Sequence, residues 1–282
     1  MISVVIPAYN RATTIKECID SVLAQTYSDI EVIVVDDCSK DNTVEVVNSY
    51  TDPRVKKCIT YEPNRGACYA RNLGAANAAG EYIAFQDSDD TWMPDKLEKQ
   101  LAYLQKGGYD MVFCGMKRVD EENGRTWYFP NYEFDENKDA LKQILYDDPI
   151  GTQCIFITKE AFERVKFDES IKKFQDWDFS IRAAGCCKIG YLNEPLAISV
   201  LQPNSITKKV PRYKALQVIY NKYNELIVAD EKIHMQFLHR LGNSGYREDP
   251  KNCAVYLSKV VKYRFDMKSF IKLVYCKIKR KK

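Results

Sequence analysis

Histidine is nearly absent from this 282-residue sequence: only His234 and His239 occur, both close to the C-terminal end. That leaves histidine a poor candidate for proton transfer and passes the task to carboxylates. The ten cysteines contain no Cys-x-x-Cys pair and no cluster with histidine at metal-ligand spacing. The cysteines therefore read as small buried hydrophobes of a chain kept in a reducing compartment. Cys186 and Cys187 are adjacent and poorly placed to bridge. No uninterrupted apolar run approaches the roughly 18 to 20 residues of a membrane span, and no charged start or cleavage site precedes the first apolar segment, MISVVIPAY. No GxGxxG follows that segment, which disfavours a Rossmann dehydrogenase. Gly/Ser linkers and internal repeats are missing too. The expectation is a soluble cytoplasmic protein, at most attached to a membrane surface.

What is present suffices for a large core: 45% of residues are apolar and 12% aromatic. The net charge of +3 conceals an asymmetry. Residues 208–282 carry 19 Lys and Arg against 6 Asp and Glu, net +13, and residues 1–207 carry 23 against 33, net −10. The two stretches should therefore meet different partners. Within residues 1–207, strand-like runs (Ile2 to Pro7, Glu31 to Asp37, a weaker one at Val55 to Ile59, Tyr82 to Phe85, Tyr109 to Gly115) alternate with helical patterns. This alternation predicts an α/β domain with a mostly parallel, Rossmann-like central sheet flanked by helices. Ligands of such sheets collect beyond the carboxyl ends of the strands. Two acidic groups, Asp36-Asp37 and Asp87 to Asp90, stand at strand ends of that kind and are expected to face one crevice.

The stretch GEYIAFQDSDDTWMPDKL places Asp87, Ser88, Asp89 and Asp90 directly after the run Tyr82 to Phe85. The following WMPDKLEKQLAYL reads as a helix with Pro94 in its first turn. Crowded carboxylates repel one another unless a cation sits among them, and Mg2+ or Mn2+ takes such oxygens. Two other readings stand beside a metal site. One is an acidic turn capping the next helix. The other is the DxDxT signature of haloacid dehalogenase-type phosphatases with Asp87 as nucleophile, although that motif normally opens its domain.

Five segments, VVIPAYN, VIVVDDCSKDNT, NRGACYARNLG, GEYIAFQDSDD and FQDWDFSIRAAG, together resemble family 2 glycosyltransferases in order and spacing. The resemblance covers residues 1–207 and implies a GT-A fold, with a nucleotide-binding half (1–116) and an acceptor and catalytic-base half (117–207). It further implies an inverting transfer of sugar from a nucleoside diphosphate donor to a hydroxyl. In that reading Pro7, Tyr9 and Asn10 line the nucleotide, with Tyr9 stacking on the base, a contact of roughly 1 to 3 kcal/mol. Asp37 would accept the uracil imide N–H, favouring a UDP-sugar, with Asp36 structural and Ser39 and Asp41 acting as caps. Arg71 would reach the nucleotide or its phosphates. Asp87-Ser88-Asp89 matches the DxD motif, Asp89 being the principal ligand of Mn2+ or Mg2+ and Asp87 holding the ribose or a metal-bound water. QDWDF matches the family's EDWDL, which makes Asp176 the base and Asp178 the second choice. Trp177, Gln175, Gln153 and Gln202 would shape the acceptor and sugar pocket. Two departures stand out: Gln175 replaces Glu, and Val200 and Gln202 stand where many members have Arg and His. A non-catalytic nucleotide- or glycan-binding protein is the reading that Gln175 leaves open.

Residues 208–282 form a basic, helical extension in which Tyr263, Phe265, Phe270, Ile271, Leu273, Val274 and Tyr275 interleave with cations. Attachment to an anionic inner leaflet fits a lipid-linked acceptor. Helices packed on the catalytic domain with a solvated basic face fit the charge equally well. No nucleic-acid recognition motif accompanies it.

Overall fold

The computed structural model describes residues 1–130, 134–201 and 210–279. β1 (Ile2–Ala8) is buried at every position, as its Val-Val-Ile composition requires of a strand covered on both faces. α1 (Ile15–Leu23) buries Ile15, Cys18, Ile19 and Val22, one stripe at helical spacing. β2 (Ile30–Asp36) then lies parallel to β1, with Ala8 opposite Asp36. α2 (Thr43–Asn48) leads to the short β3 (Ile59–Thr60), and α3 (Ala67–Ala76) to β4 (Tyr82–Phe85). β3 pairs parallel with β2 and β4 parallel with β1, so the carboxyl ends of these strands share one rim. The weak strand expected at Val55 to Ile59 shrinks to a single bridge from Val55 to Val32 and the two residues of β3. α3 lies against β1 and β2 because Gly74 has no side chain: a Cβ there would come within 2.4 Å of Val5 and 3.1 Å of Val35.

After the acidic turn the chain departs from expectation. Asp90–Trp92 forms a strand, β5, before α4 (Lys96–Gly107) begins. Pro94 precedes the N-cap residue Asp95 instead of occupying the first turn. The remaining elements are β6 (Met111–Asp120), β7 (Arg125–Phe129), α5 (Ala140–Tyr146), β8 (Ile155–Thr158), α6 (Lys159–Val165), α7 (Gln175–Ala184) and β9 (Ile189–Val200). Among the described residues nine strands make one sheet, ordered β3-β2-β1-β4-β8-β6-β9-β5, with β7 paired to β6. β8 runs antiparallel between β4 and β6, while β9 returns parallel to β6. β5 pairs antiparallel with the end of β9, and that tertiary partner draws Asp90 to Trp92 out of the helical pattern. Phe85, Phe162, Phe167 and Phe179 pack beneath the sheet, the Phe167 and Phe179 rings stacked at 4.4 Å.

The chain divides into two compact units. The first comprises Met1–Ile144, Asp148–Ile171 and Gln175–Pro203, and the second Leu145–Asp147, Lys172–Phe174 and Asn204–Lys282. The second unit is helical: α8 (Arg212–Lys222), α9 (Asn224–Val228), α10 (Glu231–Gly245), α11 (Pro250–Tyr263) and α12 (Met267–Lys279). Asp230 caps α10 and Asp249 caps α11, whose first turn carries Pro250. Among the described residues no helix is long and apolar enough to cross a membrane.

Candidate active site

The rim above β1, β2 and β4 gathers the residues that the motifs single out. β4 passes through the buried Gln86 into a tight turn in which the Asp90 N–H donates to the Asp87 carbonyl at 3.1 Å. The turn is fixed from both sides, since Gln86 Nε2 donates to the Asp90 carbonyl at 2.8 Å and Gln153 Nε2 to its carboxylate at 2.7 Å. Asp90 is thus turned inward, whereas the side chains of Asp87 and Asp89 keep 30% and 24% of their surface open. Burial pushes the Asp89 carboxyl above the usual carboxylate range and Asp87 adds to the rise, against Arg11 and Arg71. Asp90 is pushed higher still, by burial and then by Asp87 and Asp89.

Arg71, on the first turns of α3, is only 6% exposed. One end of its guanidinium donates to Asp87 at 2.7 Å and the other to the Gln175 side-chain carbonyl at 2.9 Å. Gln175 opens α7 and donates in turn to the Ile171 carbonyl at 3.1 Å. Asp176 is the next residue, half-buried, its carboxylate accepting the Trp177 N–H at 3.0 Å. Burial raises its pKa; the Trp177 N–H and Arg71 pull it down, and Asp87 pushes it up. A hydrogen-bonded chain through Arg71 thus ties the DxD turn to the start of the helix that carries Asp176. Asp178 is spent otherwise: it is 1% exposed and ion-paired with Arg182 at 2.9 Å.

At the end of β1, Pro7 is buried, Tyr9 half-buried and Asn10 exposed, with φ of 52°. Asn10 is clasped by the loop after β2: its N–H donates to Ser39 Oγ at 2.8 Å and its side-chain carbonyl accepts the Lys40 N–H at 2.7 Å. Asp41, expected as a cap, stands one residue before the N-cap Asn42 and accepts the Thr43 N–H at the start of α2 and the Ala12 N–H. Asp37 is 4% exposed, and its carboxylate accepts from Tyr61 Oη, the Arg65 N–H and the Gly66 N–H at 2.7 to 2.8 Å. It holds the 61–66 loop. Asp36, expected to be structural, accepts the Ser39 N–H with Oδ2 and leaves Oδ1 buried without a hydrogen-bond partner. It also lines a cavity of about 410 Å3 with Cys38, Ser39, Val44, Thr60, Tyr61 and Glu62.

Some sequence-derived residues lie elsewhere than expected. Trp177 is 1% exposed, its indole N–H donating to the Ile144 carbonyl at 2.6 Å, so it is a core residue and not a pocket wall. Gln153 is likewise buried and serves Asp90 from behind. The first turn of a helix offers only some of its side chains to the rim, and Trp177 falls on the inner face. Gln202 lies outside the described residues. Arg11 was not singled out by the motifs, yet it pairs with Asp89 at 3.3 Å. A cation three residues beyond the end of β1 was the available signal.

Among the described residues no group of three or more His, Cys, Asp or Glu side chains is arranged to hold a metal alone. The donor set nevertheless fits Mn2+ or Mg2+. These ions typically take one or two carboxylates plus substrate phosphates, and Asp87 and Asp89 keep part of their carboxylate surface open at the rim. Asp87 is engaged by Arg71, an arrangement unlike that of a carboxylate left free to attack phosphorus.

Comparison with known proteins agrees with this geometry. The chain is 32% identical over 243 residues to TuaG of Bacillus subtilis, provisionally named a teichuronic acid biosynthesis glycosyltransferase, covering 83% of this chain and 90% of that one. The S. aureus TarS structure superposes with a TM-score of 0.65 at 23% identity, covering 99% of this chain and 53% of TarS. TarS residues 1–349 in complex with UDP-GlcNAc give 0.64 at 21%, covering 98% and 79%. The mannosyltransferase PcManGT of Pyrobaculum calidifontis, in complex with GDP-Man and Mn2+, gives 0.60 at 17%, covering 97% and 78%. The fold is GT-A. The profile for "Glycosyl transferase family 2" matches residues 3–166, and with it the chain belongs to glycosyl transferase family 2.

Proposed function

We propose that the protein transfers a sugar, with inversion, from a UDP-sugar to a hydroxyl of a glycan or lipid-linked acceptor in the building of a polysaccharide or glycolipid. The observation that carries this reading is the Asp87, Arg71, Gln175 chain, which couples the diphosphate-facing turn to the helix of the base. Support for the donor class comes from the UDP-GlcNAc complex of TarS, and for a divalent ion from the Mn2+ complex of PcManGT.

In this reading Tyr9 stacks on the base above Pro7 and Asn10, and the acidic pair at the end of β2 meets its polar edge. Asp37 shapes that edge through the 61–66 loop, and Asp36 contributes the oxygen that has no partner within the protein. Asp89, aided by Asp87, would hold Mn2+ or Mg2+, which when bound neutralises the charge that develops on the departing diphosphate. Arg11 and Arg71 are the cations already at the rim: Arg11 turns from Asp89 to a phosphate oxygen as donor enters, while Arg71, kept on Asp87 and Gln175, lends its charge to the phosphates from behind. Asp176 takes the proton of the acceptor hydroxyl as that oxygen attacks the anomeric carbon from the face opposite the phosphate. Gln175, neutral where the family has Glu, keeps the geometry of the Arg71 contact without adding charge beside the base. The reading puts the acceptor on the inner leaflet of a membrane, supported by the net charge of +13 over residues 208–282. The domain division is proposed at residue 207.

A panel of nucleotide sugars screened for Mn2+-dependent turnover tests the reading. One or more UDP-sugars should be consumed by the wild type, and Asp176→Asn should lose at least about a hundredfold in turnover while retaining donor affinity. Turnover undiminished in Asp176→Asn, or no UDP-sugar bound at all, would refute it.

A further inference from the structure

α12 is apolar on two opposite faces. Ser269, Leu273 and Cys276 are buried, and they fix the inward face: Asn243 donates to Ser269 Oγ at 3.3 Å, and the Cys276 thiol lies 3.6 Å from the Tyr246 carbonyl. At about 100° per residue, Met267, Ile271, Val274 and Ile278 fall within an arc of about 60°, roughly half a turn away from that face. They are 60%, 60%, 40% and 58% exposed. Packing within the second unit accounts for the first stripe and leaves the second unused. Phe265 and Phe270, 60% and 41% exposed with rings 5.7 Å apart, extend the outer stripe at its N-terminal end. Scattered apolar residues are ordinary on a surface; a continuous row at helical spacing is not.

Charge names the partner. From Pro250 to Lys279 the sequence holds eight Lys and Arg and one acidic residue, Asp266. Asp266 is occupied as the cap of α12, accepting the Ser269 N–H at 2.9 Å. Lys268, Lys277 and Lys279 border the outer stripe, while Lys272 turns inward to Asn243 at 2.7 Å. A nucleic acid would use the cations and leave the apolar row in water; an apolar protein groove would use the row and leave the cations unmatched. An anionic bilayer takes both, because such a helix lies in the interface plane with its apolar side among acyl chains and its lysines among head groups.

We infer that the outer face of α12, with Phe265 and Phe270, is an in-plane docking surface for an anionic lipid bilayer. This deepens the proposed function by naming the surface that would bring the enzyme to a lipid-linked acceptor. The full chain is sedimented with vesicles of phosphatidylcholine, alone or mixed with phosphatidylglycerol. Oligomeric state by light scattering, binding to an RNA duplex, and UDP-sugar turnover without vesicles are measured on the same preparations. The wild type should partition onto anionic vesicles, roughly tenfold less onto neutral ones, and less again at high salt. Combined Met267→Ser, Ile271→Ser, Val274→Ser and Ile278→Ser should lower anionic partitioning by roughly tenfold or more with turnover and oligomeric state unchanged. Equal partitioning of variant and wild type would overturn the inference. So would a wild-type dimer that the variant converts to monomer while neither binds vesicles, or RNA binding of the wild type in place of vesicle binding. Vesicle binding by a protein that turns over no donor would uphold the surface and remove the transferase reading.

Discussion

At the residue scale the proposed chemistry rests on carboxylates whose neighbours set their tasks. As the proposed base, Asp176 needs its charge in order to accept a proton, and burial raises its pKa above the ordinary carboxylate range. A raised pKa means that the ionised fraction is lost at a higher pH than for a free Asp, near 4. Turnover should therefore fall as pH drops through that raised value, and Asp176→Glu should shift the acidic limb; a rate flat down to about pH 4 would contradict this. Asp37 shows a different allocation. Its carboxylate accepts three hydrogen bonds from the loop that leads into α3. Asp37→Ala should thus cost about 1 to 3 kcal/mol of stability in urea unfolding, besides weakening UDP binding. Loss of affinity without loss of stability would mean that the loop does not depend on it. Motif spacing singled out Arg71 and Asp87, which the structure joins in one hydrogen-bonded chain, and the proposal keeps Tyr9, Asp89 and Asp176 beside them. The sharing of work between Asp36 and Asp37 was not legible in the sequence, because it is decided by Tyr61, Arg65 and Gly66, which arrive from a distant loop. Burial of Trp177 and Gln153 was hidden for a similar reason: neighbours inside the core, not the residue type, select the face.

At the element scale the fold follows from strands that read as continuous apolar runs and from one close helix contact. α3 presents Arg71 to the rim while Gly74, one turn later, lies against Val5 and Val35. Gly74→Ala should destabilise the protein by about 1 to 3 kcal/mol, by overpacking between α3 and β1, with the midpoint of urea unfolding lowered and the rim proposed to bind donor intact in whatever fraction stays folded. An unchanged midpoint would mean that the helix shifts freely. The parallel half of the sheet was legible because β1, β2 and β4 are buried on both faces and are punctuated by Gly, Asn and Asp. β5 was not, since three residues after an acidic turn carry no strand signal of their own and acquire their state from β9. Pro94 misled for the same reason, marking the approach to α4 and not its first turn.

At the scale of the molecule the charge asymmetry of the sequence maps onto the two units: the first carries the acidic rim, the second a basic set of helices. Composition disclosed that division. It did not disclose that residues near 145 and 173 join the second unit, because short excursions of a chain leave no compositional trace. The central claim is that Asp89 and its turn bind a nucleoside diphosphate by way of a divalent cation. Calorimetric titration of UDP into metal-stripped protein, with and without Mn2+, tests it most directly in the wild type and in Asp89→Ala. Mn2+ should tighten UDP binding to the wild type at least about tenfold and leave Asp89→Ala unaffected. Equal affinity with and without Mn2+ in the wild type, or an undiminished Mn2+ effect in Asp89→Ala, would contradict the account.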